Sequence, residues 1–151
     1  MNKVVAVYDY PDAVRAFVEN GLWQGTRQFG KCTSVGFANE NEGLVAGFVF
    51  HNYDPDTNVI EVSGYSARRD WCTLPLFKAL FEYPFDDLGV RLVAARHSEH
   101  NRRARRIWRA IGANEYTIPE LRAEGEAEVI SILTKDAWLN SKFMRHQNGK
   151  T

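Results

Sequence analysis

The sequence predicts an α/β (α+β) domain built on a mixed, mostly antiparallel sheet of about six to seven strands. Three observations predict it. Apolar runs of strand length alternate with helical periodicity in the order strand, helix, three strands, helix, strand, helix, strand, strand. The three consecutive strand runs are joined only by Asn39-Glu40-Asn41-Glu42-Gly43 and Asp54-Pro55-Asp56-Thr57-Asn58, both rich in turn formers, which makes them an antiparallel meander. A composition 44% hydrophobic and 13% aromatic over 151 residues supplies one core, and no repeat, low-complexity segment or Pro/Gly-rich linker divides it.

In order, Lys3 to Tyr8 is a β-branched run, and Asp9, Pro11 and Asp12 open a helix that continues to Asn20 and stops at Gly21. Val14, Phe17 and Val18 fall on one side of it, and Trp23 to Phe29 forms a polar, aromatic connection with room for a further short helix. Cys32 to Ala38, Gly43 to His51 and Asn58 to Ser66 are the meander strands. An amphipathic helix spans Leu76 to Tyr83, and a strand follows Gly89 at Arg91 to Arg96. Asn101 to Ala110 is a second amphipathic helix closed by Gly112. A strand near Asn114 to Ile118, a turn region at Pro119 to Glu126 and a strand from Glu128 to Thr134 precede Asp136-Ala137-Trp138. Residues 1–138 thus read as one domain, with 139–151 a polar tail expected to fray.

Composition also excludes. Nineteen basic against nineteen acidic residues leave a formal net charge of zero, so no global field draws the chain to nucleic acid or an anionic membrane. There is no charged-then-apolar leader, and polar residues interrupt every apolar run before the roughly 20 residues that cross a bilayer. The expectation is a cytoplasmic protein with no membrane partner. Cys32 and Cys72 are far apart, without a Cys-x-x-Cys pair or a histidine at zinc-finger spacing, so both are expected as reduced thiols and no metal site is indicated.

The most informative local feature is Arg68-Arg69-Asp70-Trp71-Cys72-Thr73, a short polar loop that ends one strand and opens a helix. Such a loop leaves backbone N–H groups unpaired at the positive end of a helix dipole, which suits phosphate. Thr73 offers a capping hydroxyl, Pro75 fits the first helical turn, and Arg68 and Arg69 offer charge-assisted bonds. The bland alternative is an ordinary helix cap with two solvated arginines. On the preceding strand, alternation along Val59-Ile60-Glu61-Val62-Ser63-Gly64-Tyr65 places Glu61, Ser63 and Tyr65 on one face, and a glutamate within an apolar strand calls for a partner or a raised pKa. Downstream, Arg102, Arg105, Arg106 and Arg109 share one helical face, while Ala104, Ile107, Trp108 and Ile111 make the buried one.

This order of elements, together with the loop at Arg68 and the segment from Asn101 to Ala113, resembles the Gcn5-related N-acetyltransferase (GNAT) superfamily, over roughly residues 3 to 138. The family loop reads Arg/Gln-x-x-Gly-x-Gly/Ala. Registering Lys78-Ala79-Leu80-Phe81-Glu82-Tyr83 on the helix after it puts Arg68 first and Trp71 and Thr73 at the two small-residue positions. Asn101-Arg102-Arg103-Ala104 through Ile111-Gly112-Ala113 is similar to the family's Asn-x-x-Ala segment ending in Leu-Gly-Phe. Phe81-Glu82-Tyr83-Pro84-Phe85, Leu88-Gly89-Val90, Ile118-Pro119 and Asp136-Ala137-Trp138 resemble a bacteriophage and prophage subgroup, which implies a bacterial or phage-infected cell.

The resemblance implies helices on both faces of the sheet and transfer of an acetyl group from acetyl-coenzyme A to an amine. It implies a coenzyme A site formed by the backbone of Val62, Gly64 and Ser66, by the loop residues Arg68, Arg69, Asp70, Trp71, Cys72 and Thr73, and by Asn101, Arg105 and Trp108. Two strands that splay apart in this fold expose backbone groups, and an amide near Val62 to Gly64 would polarise the thioester carbonyl. Candidate bases are Glu61, His97 and Tyr65, with His51 and Tyr53 leaving the strand before. Trp108 stands where many members have a tyrosine acting as general acid, and an indole donates only a hydrogen bond. Neither cysteine lies in a readable Cys/His pattern and no Gly-x-Ser-x-Gly elbow is present, so direct transfer is expected. The acceptor, a small molecule or a peptide amine, is unassigned, and a homodimer is left open. Two rivals stand beside this reading: a phage-type relative that modifies a nucleobase in DNA through the arginine face, which ranks behind the cofactor as its ligand, and a non-catalytic binding protein.

Overall fold

A computed structural model describes residues 3–148. Seven strands form one mostly antiparallel sheet with helices, the predicted class. Among the described residues no helix is long and apolar enough to cross a membrane. The chain divides into two compact bodies, one made by the chain up to Tyr53 with Glu61–Leu88, the other by Asp54–Ile60 with the chain from Gly89 onward.

In the first body, β1 (Val5–Val7) pairs antiparallel with β2 (Cys32–Asn39), and β2 with β3 (Gly43–Asp54), in a register that sets Gly36 opposite Gly47 and Cys32 opposite His51. β4 (Val59–Ser66) completes the meander. β1 is shorter than the predicted run because only Val5 to Val7 meet partners on β2. Helix α1 (Pro11–Trp23) starts as predicted, with proline in its first turn and Asp12 beside its positive end. It does not stop at Gly21. A Cβ on Gly21 would lie 2.1 Å from the Tyr65 ring, so this glycine is a contact surface inside the helix, and the left-handed cap is Gln24 at φ 52°. Gly36 and Gly47 serve the same close approach, since Cβ atoms there would meet Val14 and Val18 at 2.7 and 3.0 Å.

The opposite face of this meander carries Phe37, Phe48 and Phe50, buried with α2 (Leu74–Phe81) and Trp71. β3 is therefore covered on both sides, and Val45 to Phe50 reads as an unbroken apolar run rather than an alternating one. α2 begins two residues earlier than predicted and passes at Glu82 into a π-helical stretch, Glu82–Asp87, which accommodates Pro84 and buries Phe85.

In the second body, β5 (Leu92–Ser98) pairs with β7 (Glu126–Thr134), and β7 with the edge strand β6 (Asn114–Ala123), all antiparallel. α3 (Arg102–Ala110) and α4 (Lys135–Leu139) pack on β7, and Val93, Ala95, Val129 and Leu133 with Trp108 and Trp138 form the buried side. The predicted turn region at Pro119 to Glu126 is instead mostly strand. Its turn signals mark a break in pairing between Ile118 and Ala123, where Glu120 takes φ 65°, and the hairpin closes at Gly125. Tyr116, Ile118 and Leu121 on this edge are exposed. The described part of the tail carries a helix. Residues Lys142–Asn148 form α5, started by Ser141, which is buried and accepts the Met144 N–H; residues 149–151 lie outside the described ones.

Candidate active site

Four polar side chains of β3 and β4 meet beside the turn that joins the two strands. Cross-strand pairing brings side chains on one face within about 5 Å of one another, and here the result is a connected cluster. His51 Nε2 is 2.8 Å from Ser63 Oγ and 3.8 Å from Glu61 Oε2. Asn52, in the left-handed region at φ 53°, donates from Nδ2 to Glu61 Oε1 at 3.1 Å. Burial pushes the His51 pKa below its ordinary value against the opposing pull of Glu61, which favours the neutral imidazole. Tyr65 shares the face, its ring edge-on to Phe17 with centroids 5.6 Å apart and laid over Gly21. Val62 is buried, and Gly64 lies over the Phe48 ring, 2.4 Å from where a Cβ would be.

Rings cover one side of the cluster. Phe29 lies on His51 and Trp23 on Phe29, each with centroids 4.9 Å apart, and the Arg27 guanidinium stands 5.5 Å from the Trp23 centroid. The buried carboxylate of Glu19 accepts the Phe29 N–H at 2.8 Å, tying the connection after α1 to the helix. Cys32, opposite His51 across the ladder, has its thiol pKa raised mainly by burial, so it stays protonated. Sequence reasoning named His51 and Glu61 but missed Asn52, Phe29 and Glu19. Their only sequence signal was aromatic density between Trp23 and Phe29, because the contacts depend on register.

The loop after β4 has a shape the sequence did not disclose. Trp71 is 3% exposed and packs against Phe37, Phe48 and Phe77, with centroids 5.7, 4.9 and 5.4 Å away; its Nε1–H finds no partner among the described residues. Arg68 is engaged with Glu42 and Asp70, while Arg69 is exposed. Thr73 is the N-cap of α2, but its hydroxyl makes no capping bond, contrary to expectation. The amides of Ala67, Cys72 and Thr73 are taken by the carbonyls of Val45, Arg69 and Trp71. Those of Arg69, Asp70 and Trp71 find no partner among the described residues.

The remaining candidates lie in the second body. Asn101 caps α3, its Oδ1 accepting the Ala104 N–H at 3.2 Å. Arg105 donates twice to Glu115, at 2.9 and 3.1 Å, and once to the Glu99 carbonyl. These bonds hold the Glu115 carboxyl below its usual range. Arg109 also reaches Glu115, so half of the predicted arginine face is tied to an acid on its own body. Trp108 is buried, its ring centroid 6.5 Å from that of His97.

His97 is 6% exposed and bonds Ser131 Oγ at 2.8 Å; its pKa is lowered to about 4, chiefly by burial. The folded state therefore resists protonation more than the unfolded chain. Stability contributed by neutral His97 is present above pH 6.5 and lost as pH falls toward about 4, by up to about 3 kcal/mol. Denaturant unfolding of wild type and His97→Gln between pH 7 and pH 4 checks this: the variant, which still offers Ser131 a partner, is expected to lose less. Equal slopes would place the acid sensitivity elsewhere.

No protein-family model and no curated protein matches the chain. Solved structures do. A mutant form of the spermidine N-acetyltransferase SpeG from Vibrio cholerae superposes with a TM-score of 0.67 at 11% identity, over 92% of this chain and 96% of that one. A GCN5-related N-acetyltransferase from Brucella melitensis gives 0.62 at 16% identity, over 79% of this chain and 57% of that one. At such identities the likeness establishes the fold, which is that of the N-acetyltransferases.

Proposed function

We propose that the chain transfers an acetyl group from acetyl-coenzyme A directly to an amine, with Glu61 taking the amine's proton. The observation that carries this reading is the cluster of Glu61, His51, Ser63 and Asn52 beside the turn that joins β3 to β4 in an N-acetyltransferase fold. An amine reaches the site as an ammonium ion and attacks only after losing a proton. Glu61 attracts the ammonium, and Asn52 fixes one carboxylate oxygen so that the other is free to accept. Neutral His51, bonded to Ser63, stands beside that free oxygen as a further proton acceptor. The protonated Cys32 thiol is a poor nucleophile, in keeping with direct transfer.

The loop from Ala67 to Thr73 fits a pyrophosphate through the amides of Arg69, Asp70 and Trp71, which have no partner among the described residues, and through the exposed Arg69. When bound, acetyl-coenzyme A supplies the activated acetyl group, its C–S bond breaking as the amide N–C bond forms. Small amines, such as the one in the name of the Vibrio cholerae neighbour, come first as acceptors. Calorimetry with acetyl-coenzyme A, followed by thiol release across a panel of amines, tests the reading. Binding with amine-dependent release is expected; neither binding nor release would leave a non-catalytic scaffold.

A further inference from the structure

The groups that run outward from Glu61 in the first body are few, and they are unequal at the two ends of the row. At the inner end stands a single pair of groups that suits an ammonium, Glu61 with neutral His51. From His51 the half-buried rings of Phe29 and Trp23 follow in steps of 4.9 Å, and at the outer end the exposed Arg27 places its cation on Trp23. Glu19, the other carboxylate beside this wall, is buried and accepts the Phe29 N–H.

We infer that the acceptor is an arylalkyl amine, a primary amine carried on a short chain from an aromatic ring, with its ammonium at Glu61 and its ring against Phe29 and Trp23. This rests on the acetyl-transfer reading and names its substrate class. An aromatic wall rewards a planar apolar body, because offset and edge-on ring contacts add to burial. Arg27 opposes a polyamine: a second ammonium one chain length from the first would meet a guanidinium where it needs a carboxylate. A sugar amine would set hydroxyl groups against Phe29 and Trp23, which offer them little hydrogen bonding. The hydrogen bond from the Phe29 N–H to Glu19 holds the wall in place before a ligand arrives, lowering the ordering cost of binding.

The test compares 2-phenylethylamine, spermidine and glucosamine as acceptors and follows indole fluorescence with phenylethylamine alone. Phenylethylamine is expected to have the highest kcat/KM, by about 10-fold over spermidine, and to change the fluorescence saturably. Trp23→Phe should remove that signal. Arg27→Glu, at an exposed position where folding is not at stake, should narrow the ratio between phenylethylamine and spermidine. Phe29→Ala should raise KM for phenylethylamine by about 10-fold with a smaller effect on kcat. Acetylation that favours spermidine or glucosamine, or a ratio unmoved by Arg27→Glu, would overturn the substrate class while leaving acetyl transfer standing. Saturable quenching through Trp23 with no acetylation of any amine would support the pocket and overturn the transfer.

Discussion

Glu61→Gln is expected to lower kcat/KM for amine acetylation by about 10²- to 10³-fold while leaving the melting temperature nearly unchanged. The amide keeps the side chain's shape, and its carbonyl still accepts the bond from Asn52 Nδ2. What it loses is the capacity to hold a proton. The residual rate of the variant should climb about tenfold per pH unit toward the pKa of the acceptor, because only amine already neutral in solution then reacts. Steady-state kinetics from pH 6 to pH 10 and a thermal melt separate the outcomes. A variant with wild-type kcat/KM throughout would remove Glu61 from catalysis, and His51→Gln in the same assay would show whether the imidazole carries the proton instead.

Trp71→Ala is expected to cost about 3 to 5 kcal/mol of folding stability, a large part of what a domain of this size possesses. Three aromatic partners and 3% exposure make its indole a central wedge of the first body. Trp71→Phe should cost far less, since the smaller ring keeps much of the contact and removes an N–H that has no partner among the described residues. Denaturant midpoints for the two variants check both statements. Equal losses would mean that the phenyl ring recovers none of the indole's contacts, and no loss from alanine would remove Trp71 from the core. The same residue bears on the loop's chemistry. Where the resembled family keeps a small residue so that backbone can draw close to phosphate, this chain buries an indole, and the amides of Arg69 and Asp70 beside it have no partner among the described residues.

Much of the architecture was legible because burial imposes its period on the residues. The meander, the first helix and the two downstream strands all show it. Gly21 misled because the glycine rule for helix ends assumes a need for left-handed backbone, whereas this glycine answers a ring packed across the sheet. Pro119 misled in a similar way, marking a flaw in a strand rather than its end. At the candidate site, alternation placed Glu61, Ser63 and Tyr65 together from sequence alone. It could not sort them, because the bond from His51 to Ser63 and the one from Asn52 to Glu61 are set by the register of two strands. His97 stands in a polar stretch with Ser98, Glu99 and His100, which gives no sign of its burial beside Trp108 of α3.

The outer strand β6 has a consequence for how the molecule behaves in a crowd. An edge with Tyr116, Ile118 and Leu121 in water invites a foreign strand to zip on. Pro119 contributes no donor to such a zipper, and Glu120, turned into the left-handed region, tips the next stretch out of line. A would-be fibril could grip only the few residues before the proline, so concentrated solutions should stay clear unless Pro119 is replaced.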